Sequence, residues 1–169
     1  MRQVKYIFSI ISVSFVTLVS CQRKTPPTQQ WILEDSLSLP GINPIGIGVF
    51  EEQFWLSDGD HNRLVAVNNL GQVLDSILEL DRPMHIDANA QGLWVPQYGS
   101  DTIAQFKLPS KAALPLILKD SLDAPASISV FGAERAIADF YNHRILYSNG
   151  LDWISIGTEG KEAGQFYYP

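Results

Sequence analysis

In this chain of 169 residues 18 acidic side chains outnumber 12 basic ones, giving a formal charge of −6. No basic stripe is available to displace counterions from a phosphate backbone, so nucleic acid is excluded as an expected partner. The single cysteine, Cys21, excludes an internal disulfide. In chain order, Arg2 and Lys5 precede an apolar run over residues 6–19 that is too short to span a bilayer comfortably and reads as the core of a secretory signal. A buried hydrophobic helix is the weaker reading, because no amphipathic period breaks the run and a polar stretch follows at once.

Leu18-Val19-Ser20-Cys21 resembles the lipobox of bacterial lipoproteins. The resemblance implies that residues 1–20 are a signal peptide and that Cys21 becomes the acylated first residue of the mature protein. The domain would then be held by lipid in the bacterial cell envelope, outside the cytoplasm, at the outer membrane or periplasm. Removing residues 1–20 takes away two basic side chains and no acid, so the remainder is more acidic still. Residues 21–30, with Pro26 and Pro27 and no apolar face, are expected to form a flexible tether.

The domain itself, residues 31–169, opens on an apolar stretch at 31–37 that matches a later one at 153–156. With no blade of its own, the first stretch is expected to act as a closing strand. Beyond it, Pro44, Pro83, Pro125 and Pro169 recur at roughly 40-residue intervals. Eleven residues after the first three stand Trp55, Trp94 and Ala136; fourteen after stand Asp58, Gln97 and Asp139; twenty after stand Leu64, Ile103 and Ile145. Short alternating runs between these landmarks predict four strands per segment, with Gly and Asn at the turns. The period predicts an all-β fold, a β-propeller with blades at about 44–82, 83–124 and 125–168.

Inner strands are expected over 45–49, 84–88 and 126–130, and outer ones over 73–78, 114–118 and 153–156. Alternation puts Ile47 with Val49, Ile86 with Ala88 and Ile128 with Val130 on a core face. The opposite face, carrying Gly46, Gly48, His85, Asp87, Ser127 and Ser129, is expected to border a central channel. His85 and Asp87 are therefore the candidate polar site, although two residues from one blade do not complete a metal site. Asp58 and Asp139 each precede an Arg by five residues, Arg63 and Arg144, and read as structural clasps across a hairpin. Asp58-Gly59-Asp60-His61-Asn62 begins like a calcium loop, but Arg63 and Asn69 break the pattern. His61 and His143 read as solvated turn residues.

Ala138-Asp139, Asn142-His143-Arg144-Ile145 and Gly164-Gln165-Phe166-Tyr167-Tyr168-Pro169 resemble the NHL repeat. The first blade matches with Ser57-Asp58 and Asn62-Arg63-Leu64, and the second departs with Gln97 and Thr102. The resemblance implies a TolB-like ring of about six blades, of which three are complete in this sequence. It implies a non-catalytic module binding a protein, peptide or glycan, with no cofactor. The alternative is a lyase or a lactone or ester hydrolase with calcium or zinc held in the channel.

Overall fold

The computed structural model describes residues 32–34 and 36–169, and Ser36–Pro169 forms one compact unit. Residues 1–20, Cys21 and the tether over 21–30 lie outside the described residues. Among the described residues twelve strands form three four-stranded sheets, each bonded in chain order. The first contains β1 (Gly46–Phe50), β2 (Gln53–Asp58), β3 (Arg63–Val67) and β4 (Val73–Ile77). The second contains β5 (Asp87–Asn89), β6 (Gly92–Gln97), β7 (Thr102–Lys107) and β8 (Ala112–Pro115). The third contains β9 (Pro125–Phe131), β10 (Glu134–Asp139), β11 (Arg144–Ser148) and β12 (Trp153–Ile156). We call these blades 1, 2 and 3.

Turn chemistry sets the registers. Between β3 and β4 the Asn68 side-chain oxygen accepts the Leu70 and Gln72 N–H groups, and Gly71 takes φ 75°, a conformation that a side chain disfavours. Two strands differ from expectation. The outer strand of blade 2 begins at Ala112 because a tight turn, closed by Lys111 N–H to Lys107 O at 2.7 Å, brings the chain back early. Its inner strand pairs continuously only from Asp87: Pro83 bridges Gln97 and the Met84 N–H bonds Pro96 O, but between them and Asp87 the His85 backbone bonds Ala126 and Ile128 of blade 3 instead. Of the expected closing strand over 31–37, residues 32–34, 36 and 37 belong to no strand, while residues 31 and 35 lie outside the described residues.

The core lies between blades. Trp55, Leu64, Ala66 and Ile77 of blade 1 meet Ile86, Leu93, Val95, Ala104 and Phe106 of blade 2, with Leu80 between them. Trp94 and Ile103, on the other side of blade 2, meet Ile128, Val130, Ile137 and Leu146 of blade 3, with Leu122 between them. Burying each large apolar side chain in these layers contributes about 1.5–3 kcal/mol. The Arg135 guanidinium lies 4.6 Å from the Trp94 ring centroid, adding a cation–π contact to the second junction.

Directly paired residues share a face. Gly46, Ser57, Leu64 and Ile77 therefore line one side of blade 1, and Ile47, Leu56, Val65 and Ser76 the other. The glycine side packs on blade 2: a Cβ at Gly46 would stand 2.8 Å from His85 Cα, and one at Gly48 would stand 3.3 Å from Ala88 Cβ. In blade 1, then, the glycine side expected to border a channel packs against the neighbouring blade. Both sides of an inner strand are available to neighbouring blades. On the outward side of blade 1, Leu39 and Ile42 cover Leu56, Val65 and Val67, while Ile47 and Val49 remain 59% and 55% exposed.

Candidate functional site

The hairpins joining the second and third strands of each blade sit at the end where the inner strands begin. Their form rests on buried acceptors. Asp58 is fully buried and receives Arg63 Nε at 2.9 Å and the His61 ring Nδ1 at 2.8 Å. Asp139, also fully buried, accepts Arg144 Nε at 2.7 Å, Asn142 Nδ2 at 2.9 Å and the Asp123 N–H at 2.8 Å. Both arginines reach on to a carbonyl of the segment leading into their blade, Gly41 for Arg63 and Ser121 for Arg144. Blade 2 builds a neutral version: Gln97 accepts the Asp81 N–H at 3.0 Å and donates to Thr102 Oγ1 at 3.3 Å. Desolvation pushes the Asp58 carboxyl upward, but the hydrogen bonds from His61, Arg63 and the Asn43 N–H outweigh it and hold the group below its usual 3.8.

A second repeated device escaped the sequence reading. Asn62, Asp101 and His143, each one residue before the third strand, have φ of 53°, 57° and 51°. Arg82, Ala124 and Tyr168, each one residue before a landmark proline, have φ of 51°, 51° and 54°. The side chain of the first set accepts the backbone N–H of the second, at 2.9, 2.7 and 3.3 Å respectively. Every hairpin therefore grips the chain where the next repeat starts, Tyr168-Pro169 included. His143 thus corresponds to Asn62, and His61 to Asn142, the two residues that help hold the buried Asp. Paired Asn and Asp at spaced positions are the available signal, since they tolerate positive φ better than other side chains.

Between the hairpins of blades 1, 2 and 3 lies an open groove of about 680 Å³. Its lining includes Asp60, Asp81, Asp101 and Asp123, with Arg82, Tyr98 and Tyr141. The Arg82 guanidinium lies 5.1 Å from the Tyr98 ring centroid. Tyr98 and Tyr141 stand 6.0 Å apart, Phe140 and Tyr168 stack at 4.9 Å, and the four rings form one aromatic bank. A hydrogen bond with Tyr141, then burial, raises the Tyr98 phenol above its ordinary 10.0, so the ring stays neutral at working pH. Carboxylates beside neutral aromatic faces suit a ligand that brings cations.

No family model matches the chain, and no curated protein matches it in sequence. Solved structures do resemble it. A virginiamycin B lyase from Staphylococcus aureus aligns at TM-score 0.57 and 15% identity, over 70% of this chain and 43% of that one. Hydrazine synthase from Kuenenia stuttgartiensis aligns at TM-score 0.57 and 15% identity, over 83% and 41%. Glutaminyl cyclase from Myxococcus xanthus aligns at TM-score 0.50 and 8% identity, over 60% and 46%. Three successive four-stranded meanders packed face on face, in the likeness of these structures, decide the fold. The described residues form three blades of a β-propeller. The chain spans less than half the length of each of these neighbours.

In propeller terms, Asp87 belongs to a junction between blades. Its Oδ2 accepts the Val130 N–H and its Oδ1 accepts the Ala88 N–H, both at 2.7 Å. His85 is exposed beside Ile45, Gly46 and Ile47, and its backbone bridges Ser127. The carboxylate of the expected pair is thus committed to blade 3. Among the described residues no group of His, Cys, Asp and Glu side chains is arranged to hold a metal ion.

Proposed function

We propose that the protein is a bacterial cell-envelope lipoprotein, anchored through Cys21, whose NHL-like propeller of about six blades binds a ligand and does not catalyse. The ligand is a protein or peptide segment presenting Lys or Arg side chains at the hairpin end. The observation that carries this reading is the groove lined by Asp60, Asp81, Asp101 and Asp123, four carboxylates against the one cation Arg82, which already lies over the Tyr98 ring, with Tyr141 beside them. An acidic chain is suited to such a partner and unsuited to nucleic acid. The names of two neighbours, a lyase and a cyclase, keep an enzymatic reading in view. Asp87, spent on backbone N–H groups, argues against a channel-held metal.

Titrating the protein with an oligolysine peptide, an oligoglutamate peptide and a chitin oligosaccharide, read by tyrosine fluorescence, tests the groove. Saturable oligolysine binding that weakens with salt and drops at least tenfold in Tyr98→Ala and Asp123→Asn is expected. Saccharide binding alone would move the assignment to a glycan, and oligolysine binding indifferent to both variants would remove the groove from the reading. For the anchor, mass spectrometry of the exported protein is expected to find an acylated cysteine at the mature N-terminus, absent from Cys21→Ser.

A further inference from the structure

A cavity of about 280 Å³ lies at the end of the blades opposite the hairpin groove, where blade 1 meets blade 2. It opens between the β1–β2 turn and β4 of blade 1 and the turn after β7 of blade 2. Phe50, Leu74, Leu108 and Pro109 give it apolar walls. Buried Trp55 marks its inner end and exposed Glu51 its mouth.

Two groups in this cavity are left with hydrogen-bonding capacity. The register sets Gly48, Trp55, Ala66 and Asp75 in one row across the face of blade 1 that meets blade 2. The Trp55 indole Nε1–H is buried there and, among the described residues, meets no acceptor. Such donors are rare, because burial strips away water and returns nothing. Trp94, the equivalent residue of blade 2, also lacks an acceptor, but the Arg135 guanidinium lies over its ring, 4.6 Å from the centroid. At the first junction Leu93 holds the position of Arg135, with a shorter and uncharged side chain. The second group is Glu51. Asp75 beside it is already engaged, its Oδ1 accepting from Lys111 Nζ and from the Ser76 N–H. Glu51 has no hydrogen-bond or ion-pair partner among the described residues, so one negative charge of the lining is uncompensated.

We propose that this cavity binds a small amphiphilic amine, with its ammonium at Glu51, a ring-sized apolar body between Phe50, Leu74, Leu108 and Pro109, and an oxygen at the far end that accepts from Trp55 Nε1. The volume admits one ring with a short arm and is too small for a peptide segment. The free carboxylate selects the cation, while Lys111 and Asp75 neutralise each other. The buried N–H selects the oxygen, since a ligand without one leaves that donor unpaired. This site is independent of the hairpin groove and of any ligand held there.

Isothermal titration calorimetry on the full chain, in a mild detergent, compares tyramine with phenethylamine, which lacks the hydroxyl, and with 4-hydroxyphenylacetate, which exchanges the ammonium for a carboxylate. Tyramine is expected to bind one site per chain with a Kd of about 1 mM or tighter, phenethylamine about fivefold more weakly, and the carboxylate without saturation. Glu51→Gln is expected to weaken tyramine about fivefold, and Trp55→Phe, which keeps a ring and removes the N–H, to erase the preference for tyramine over phenethylamine. Leu74→Trp, at a strand position 49% exposed, fills the cavity and is expected to abolish tyramine binding while the strand signal in circular dichroism stays intact. Tyr98→Ala and Asp123→Asn, in the groove, are expected to leave tyramine binding unchanged. The proposal is overturned by a wild type that does not saturate with tyramine, by equal or tighter binding of the carboxylate, by binding indifferent to Glu51→Gln or Leu74→Trp, or by a tyramine preference that survives Trp55→Phe. A loss of tyramine binding in Tyr98→Ala also overturns it and assigns the amine to the groove.

Discussion

Blade 2 is covered on both faces and holds its hairpin with uncharged groups, Gln97 and Thr102 at 3.3 Å. Blades 1 and 3 each have one face without a neighbouring blade among the described residues, that of blade 1 partly covered by Leu39 and Ile42, and hold their hairpins with fully buried carboxylates paired to arginine, Asp58 with Arg63 and Asp139 with Arg144. The same backbone is thus held by two chemistries. A buried ion pair stabilises little in net terms against a well-packed neutral substitute, but losing one partner is costly because the other charge is stranded.

The sharpest way to break this comparison is to strand a charge. Asp139→Ala leaves Arg144 without its buried partner and three donors without an acceptor, and is expected to cost about 3–5 kcal/mol in urea denaturation. A loss no greater than that of the equivalent change in blade 2 would show that the two chemistries carry equal weight. Next in size is Gly46→Val, whose added Cβ meets His85 Cα at 2.8 Å. Overpacking this junction is expected to cost about 1–3 kcal/mol, whereas Ser127→Val, its equivalent on the face of blade 3 without a neighbouring blade among the described residues, is expected to change stability by less than about 0.5 kcal/mol. Equal losses would contradict the assignment of faces with and without a neighbouring blade.

Gln97→Ala removes a neutral acceptor and donor and is expected to cost about 1 kcal/mol by the same melt. The smallest effect is acid dependence. Asp58 is held below its ordinary 3.8 in the fold. Its ionised form therefore adds stability that is complete above the unfolded value and is lost as pH falls through the lower folded one. Between about pH 5 and about pH 3 the wild-type urea midpoint is expected to fall more steeply than that of Asp58→Asn. Parallel slopes would separate Asp58 from the acid sensitivity.

The repeat was legible because spacing survives changes of chemistry: Trp55, Trp94 and Ala136 occupy one position although the last is small. The Asp-to-Arg spacing of five likewise announced its clasps. What stayed hidden depends on contacts between blades. Nothing local says that the His85 backbone bonds Ala126 and Ile128, or that the Asp87 carboxylate accepts the Val130 N–H. The groove was equally out of reach, since Tyr98, Tyr141 and Tyr168 come from separate segments and converge only when hairpins of different blades are side by side. The grip of Asn62, Asp101 and His143 is visible in the backbone angles, while in sequence one of the three is a histidine that reads as an ordinary turn residue.

That grip also has a direction. Each acceptor precedes its donor by 20 to 25 residues: Asn62 before Arg82, Asp101 before Ala124, His143 before Tyr168. A chain emerging N-terminus first from a ribosome or an export channel has therefore already shaped the hairpin that will hold the next entry point. Short-range links of this kind lower the loop-closure cost of each step and favour sequential growth over a search among distant pairings. Assembly can proceed blade by blade, every finished hairpin serving as the latch for the segment arriving behind it.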